Sequence, residues 1–147
     1  MLISTKGRYA IRVMIDIAEQ NTMGYVPLKD VADRQNVSEK YLESIISMLV
    51  KADLVEGVRG KGGGYRLTRL PDKYTAWEIL NASNGTMAPV ACLREGAPEC
   101  SRRDICKALP IYENLYKLME MYLGGITLQQ MMDGEVMSAE DFAGQEM

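Results

Sequence analysis

The chain contains no histidine. Every catalytic dyad or triad built on imidazole is excluded, as is every zinc site that needs a ring nitrogen. Phenylalanine and tryptophan occur once each, against 11 methionines, a balance that suits helix packing better than a β-sandwich. The apolar stretch from Tyr9 to Ala18 is broken by Arg12 and Asp16. It is too short and too charged for a membrane span or a signal sequence, so a cytoplasmic chain without a membrane partner is expected. No general base, nucleophile pair or cofactor fingerprint occurs, which argues against an enzyme and a small-molecule substrate. Cysteine is scarce and clustered, at 92, 100 and 106 only. An odd, clustered set makes a poor disulfide framework.

What is present suffices for a core. With 147 residues and 47% hydrophobic content, the chain supports one domain or slightly more. The net charge of −3 disfavours nucleic acid until its distribution is read. Residues 1–75 hold 12 Lys and Arg against 9 Asp and Glu, whereas residues 76–147 hold 5 against 11. The first half is mildly basic and the second acidic, as for two parts with different tasks.

The segment Arg59-Gly60-Lys61-Gly62-Gly63-Gly64-Tyr65 lies between two short apolar runs, 54–58 and 65–67. Glycine turns tightly and leaves the backbone bare, so this pattern predicts a slim β-hairpin with Arg59 and Lys61 at its base and tip. A phosphate-binding P-loop is excluded, because Lys61 is followed by Gly62 rather than Ser or Thr.

Helical periodicity precedes the hairpin. Apolar residues at 10, 13, 14, 17 and 18 predict a helix over 5–20, and residues 9, 11 and 15 widen its face towards a second partner. Gly24 marks a loop over 21–26. Pro27 is placed as the first residue of a short helix to about Arg34. A turn at Gln35-Asn36-Val37 follows, then Ser38 as N-cap of a helix with Leu42, Ile45, Ile46 and Leu49 on one stripe. Short helix, tight turn and longer helix make a helix-turn-helix, and the hairpin would be its wing.

Downstream, a helix over 72–83 is expected with Asp72 as cap. A loop with Gly85, Pro89, Gly96 and Pro98 then carries Cys92 and Cys100. A helix over 109–123 has two adjacent apolar stripes, as a dimer seam requires, and Gly124-Gly125 stops it. Thr127 to Gln130 matches a capping box, and beyond Gly134 the pattern is acidic and weak. The expected architecture is therefore mostly α with a small β-hairpin wing: a winged helix-turn-helix over 1–71, a cysteine loop and long dimerisation helix over 72–133, and an acidic, flexible tail over 134–147.

A helix fits the major groove and reads base edges with residues near its N-terminus. The candidate DNA contacts are Ser38, Lys40, Tyr41, Glu43 and Ser44 on the second helix. Arg59, Gly60, Lys61, Gly62, Gly63 and Tyr65 belong to the wing, and Lys6 and Arg8 to the first helix. Glu43 can accept from the cytosine amino group, Lys40 suits phosphates, and Arg59 suits a narrow minor groove. Cys92 and Cys100 are seven residues apart in loop length, and Cys100 and Cys106 five, wider than zinc knuckles. Three thiolates on a Gly/Pro loop can wrap a soft cluster such as iron–sulfur, with Glu95, Glu99, Asp104, a small thiol or a second subunit as source of a fourth ligand. Free thiols acting as a redox switch, and a metal-carrying protein without specific DNA binding, are the competing readings.

Taken together, Ser4 to Ala10, Ser38 to Glu43, Arg59 to Tyr65 and the cysteine trio resemble the IscR-type regulators of the Rrf-two family, over residues 1 to about 133. The resemblance implies a homodimeric transcription factor on double-stranded DNA, with the long C-terminal helix crossing between subunits. It implies a 2Fe–2S or 4Fe–4S cluster on Cys92, Cys100 and Cys106, whose occupancy changes promoter choice. By the same resemblance Glu43 discriminates promoter classes and Arg59 enters the minor groove. Two departures stand out: the family's ligating His has no counterpart, and Arg8 replaces an Asp that ligates in NsrR-type members. The cysteine spacing is closer to RirA-type iron regulators.

Overall fold

The computed structural model describes residues 3–20 and 24–145. The expected loop over 21–26 is thus seen only from Gly24; residues 21–23 lie outside the described residues. The first helix, α1 (Thr5–Gln20), buries Ala10, Val13, Met14, Asp16, Ile17 and Ala18 on one face. It packs against four further helices and the hairpin. Next come α2 (Leu28–Gln35) and α3 (Glu39–Lys51). Pro27 is the N-cap of α2 with extended backbone, one position earlier than its expected place inside the helix. Asn36 ends α2 in the left-handed conformation, with φ 55° and ψ 49°, a geometry Asn tolerates well. The Ser38 hydroxyl then accepts from the Tyr41 N–H at 3.1 Å and starts α3.

The hairpin pairs β1 (Val55–Val58) with β2 (Gly64–Leu67) antiparallel, from Val55↔Leu67 to Val58↔Gly64. Its tip is closed by the Gly63 N–H donating to the Gly60 carbonyl at 3.0 Å, with Gly60 and Gly62 at φ +99° and +76°. Gly64 lies against the Val26 and Pro27 backbone, where a β-carbon would collide. That bare approach lets Val26 and Tyr65 exchange backbone bonds at 2.7 and 2.8 Å, a bridge that flanks the wing.

A 3-10 turn at Pro71–Lys73 separates the wing from α4 (Ala76–Ser83). The cap of α4 is Thr75, whose hydroxyl accepts from the Glu78 N–H at 3.1 Å; Asp72, expected in that role, sits in the preceding turn. The thiol loop contains only 3-10 turns at Ala91–Leu93 and Arg103–Ile105. Then α5 (Leu109–Gly124) runs for 16 residues, or about 24 Å. The capping box at Thr127 is complete and opens α6 (Leu128–Asp133). The tail holds a short helix absent from the sequence reading, α7 (Ala139–Ala143), capped by Ser138. Phe142 meets Tyr122 edge-on at 5.3 Å, and the Tyr122 hydroxyl donates to the Met137 carbonyl at 2.8 Å.

The core gathers Val13, Met14, Leu42, Ile45, Leu49, Leu54, Tyr74, Ile79 and Leu128, each no more than 1% exposed. Each large aliphatic side chain buried there contributes roughly 1.5–3 kcal/mol. The stripe on α3 faces this core, which turns the opposite face outward.

Candidate nucleic-acid interface and thiol loop

On that outward face of α3, Lys40, Glu43 and Ser47 are exposed. Tyr41 is half-buried and meets Tyr9 of α1 edge-on at 5.8 Å. The Ser44 hydroxyl donates to the Tyr41 carbonyl at 2.6 Å, so its proton is spent within the helix while its lone pairs stay available. Ser38 is engaged as the cap. The helix therefore presents Lys40, Glu43 and Ser47 outward, with Tyr41 and Ser44 partly turned into the fold. A shallow groove lined by Glu43, Ser47, Lys51 and Tyr65 joins α3 to the wing.

The wing points into solvent, with residues 56–62 exposed. Gly63 and Tyr65 are half-buried at its inner side. Lys6 and Arg8 are exposed on the first turns of α1. Among the described residues, the side chains of Lys6, Arg8, Lys40, Arg59 and Lys61 form no ion pair. Unpaired surface cations are what a phosphate backbone recruits, by releasing condensed counterions.

Other arginines are committed to the fold. Arg34 of α2 grips Asp16 of α1, with Nη2 donating at 2.7 Å to Oδ1 and Nε at 3.0 Å to Oδ2. Gln35 Nε2 donates to the same carboxylate at 2.8 Å, and Arg12 donates to the Gln35 amide oxygen and backbone carbonyl at 2.9 and 2.8 Å. Asp16 is 4% exposed, so this network answers the cost of burying a carboxylate and pins α2 on α1. The hydrogen bond to Asp16 raises the Arg34 pKa further above its ordinary value, and the guanidinium stays charged at any working pH. Arg66 pairs with Glu56 across the hairpin at 2.6 Å and stacks over Tyr25 at 4.6 Å. Arg69 holds Glu78 of α4 through two bonds of 2.8 and 3.0 Å. Sequence reading missed the α1–α2 network, although Asp16 inside an apolar stripe was its signal.

The thiols lie between α4 and α5. Cys92 and Cys106 are half-buried and Cys100 is exposed, and none is in a disulfide. Among the described residues, no three Cys, Asp or Glu side chains stand gathered for a metal. The donor set nonetheless suits a thiophilic centre by its chemistry: three soft sulfurs, with carboxylates at Glu95, Glu99 and Asp104 on the same loop. Helix α5 buries no residue despite its apolar stripes; Ile111 is 66% exposed, Leu115 39% and Leu118 44%.

A buried helix-turn-helix stripe, an outward polar face and a solvent-facing basic hairpin define a winged-helix DNA-binding protein. The family model described as "Rrf2: Iron-dependent Transcriptional regulator" matches residues 3–134. The chain is 37% identical over 142 residues to the HTH-type transcriptional regulator IscR of Aliivibrio salmonicida, covering 96% of this chain and 83% of that protein. Identity to IscR of Xenorhabdus nematophila is 34% over 142 residues, covering 96% and 85%. Among solved structures, CymR, the global cysteine regulator of B. subtilis, superposes with a TM-score of 0.72 at 34% identity over 91% of this chain and 98% of that one. T. potens IscR does so with 0.67 at 32% identity, over 100% and 93%. The chain belongs to the Rrf2 family and is an IscR-like transcriptional regulator. No described helix is long and apolar enough to cross a membrane.

Proposed function

We propose that the chain acts in the cytoplasm as a homodimeric DNA-binding regulator whose promoter binding is modulated by an iron–sulfur cluster on Cys92, Cys100 and Cys106. The observation that carries this reading is the coexistence, in one IscR-like chain, of three unbridged thiols on a loosely held loop and unpaired cations on an exposed wing. The loop leads directly into α5, whose exposed Ile111, Leu115 and Leu118 suit a second copy of the same helix. Dimeric readers need fixed half-site spacing, so ordering a loop next to the seam changes DNA affinity. When bound, the cluster supplies a centre responsive to iron, redox state or nitric oxide. The chain's own part is to offer three thiolates, with Glu95, Glu99, Asp104, a small thiol or the second subunit as source of a fourth donor. On the DNA side, Lys40, Lys6 and Arg8 neutralise phosphates, Glu43 and Ser44 read base edges, and Arg59 enters the minor groove.

The exposed Cys100 favours one second reading, a cluster-free thiol switch. Anaerobic purification with iron and sulfide counting separates the two. Copurifying or reconstitutable iron and sulfide with visible absorption support the cluster. Metal-free protein whose DNA affinity follows oxidant and reductant supports the switch. A metal carrier without DNA binding sits poorly with a family of transcriptional regulators.

A further inference from the structure

The wing is rooted on a residue outside its own hairpin. Tyr74 is wholly buried, and its hydroxyl donates to the Leu54 carbonyl at 2.8 Å. The same oxygen accepts from the backbone N–H groups of Thr68 and Arg69 at 2.8 and 2.9 Å. Thr68 Oγ1 lies 3.1 Å from it and donates to the Asp53 carbonyl at 2.8 Å. These backbone groups stand just beyond Val55↔Leu67, the last pair of the ladder, where the strands part. A phenol supplies there the bonds that a longer ladder would have made.

Tyr74 is in turn fixed from two other directions. The Arg69 guanidinium lies over its ring at 4.8 Å and is held by Glu78 of α4. The Tyr74 carbonyl accepts from the Leu128 N–H of α6 at 3.0 Å, and the Ala76 N–H donates to the Ile126 carbonyl at 2.9 Å. The wing's root is thereby tied to the segment that follows α5. Two four-residue strands do not hold their own orientation in water, so the aim of the exposed tip depends on how its root is fixed.

We propose that Tyr74 is a positioning residue for DNA recognition: its hydroxyl fixes the wing's root against α4 and α6, so that Arg59 and Lys61 meet DNA in one orientation. This rests on the reading of the wing as a DNA contact.

The test uses full-length protein and a duplex selected by it from random-sequence DNA, with affinities measured for Tyr74→Phe, Arg59→Ala and the double variant. Each single variant is expected to bind at least about tenfold more weakly, and the double variant no more weakly than Arg59→Ala alone, because both changes disable one device. Hydrogen exchange at residues 64–69 should rise in Tyr74→Phe while α1 and α3 stay protected. Wild-type affinity for Tyr74→Phe beside a weakened Arg59→Ala overturns the proposal and leaves the wing reading intact. Multiplying losses in the double variant, about a hundredfold, overturn it as well, since Tyr74 would then act through general stability. Wild-type affinity for Arg59→Ala overturns the wing reading and the proposal together. Should Tyr74→Phe fail to fold, Thr68→Val removes only the hydroxyl bridging Tyr74 and Asp53. Its loss is expected to be about threefold and to vanish in the Arg59→Ala background; no loss, or a loss that persists there, overturns the proposal.

Discussion

Residues 24–88 hold their outward side chains on elements sunk in a shared core, whereas residues 89–108 carry three thiols on backbone that buries no side chain. In the first region α3 is fixed by four buried aliphatics, α2 by the Asp16 network and the wing by Tyr65 and Tyr74. In the second, the loop is held by short i to i+3 backbone bonds and one looser ion pair, Arg103–Glu113 at 3.6 Å. The contrast teaches that the outward face of α3 and the wing are fixed by core packing and long-range bonds, whereas the thiol loop is held by local bonds and little else.

Three substitutions sharpen that comparison. Ile45→Ala removes a side chain with no exposed surface and should cost about 3 kcal/mol in denaturant unfolding, with DNA binding lost in step. Arg34→Ala leaves the Asp16 carboxylate buried beside Gln35 alone. The expected cost is about 2 kcal/mol, below the fully buried range because the Arg34 side chain is 38% exposed. That loss should persist from neutral into strongly alkaline solution, since the raised Arg34 pKa keeps the cation present up to and beyond its ordinary range. Cys100→Ala should change stability by less than about 0.5 kcal/mol, because the residue is exposed and unbridged. It should nevertheless abolish iron and sulfide uptake. A large stability loss for Cys100→Ala would mean that the loop is a structural part of the fold, and the comparison would fail.

Much of this arrangement was legible from residue order. Period-3.6 stripes marked α1, α3 and α5, Ser38 and Thr127 marked the starts of α3 and α6, and the glycine-rich turn marked the wing. Those signals are local, and local chemistry decides them. The start of α4 was misplaced because Asp72 and Thr75 are both capping residues, and only the 3-10 turn after Pro71 selects between them. The helix α7 is short and has one large apolar side chain, Phe142, so periodicity could not reveal it; Ser138 three residues before Asp141 was the available cue. The role of Tyr74 depends on partners at 54, 68 and 128, which no sequence window spans.

The most direct measurement is promoter affinity of the iron- and sulfide-loaded protein against the same protein stripped of both, anaerobically and at one salt concentration. The account predicts that at least one natural promoter distinguishes the two forms by about tenfold or more, with both forms dimeric and folded. Equal affinities at every promoter, or protein that never takes up iron and sulfide, would contradict it.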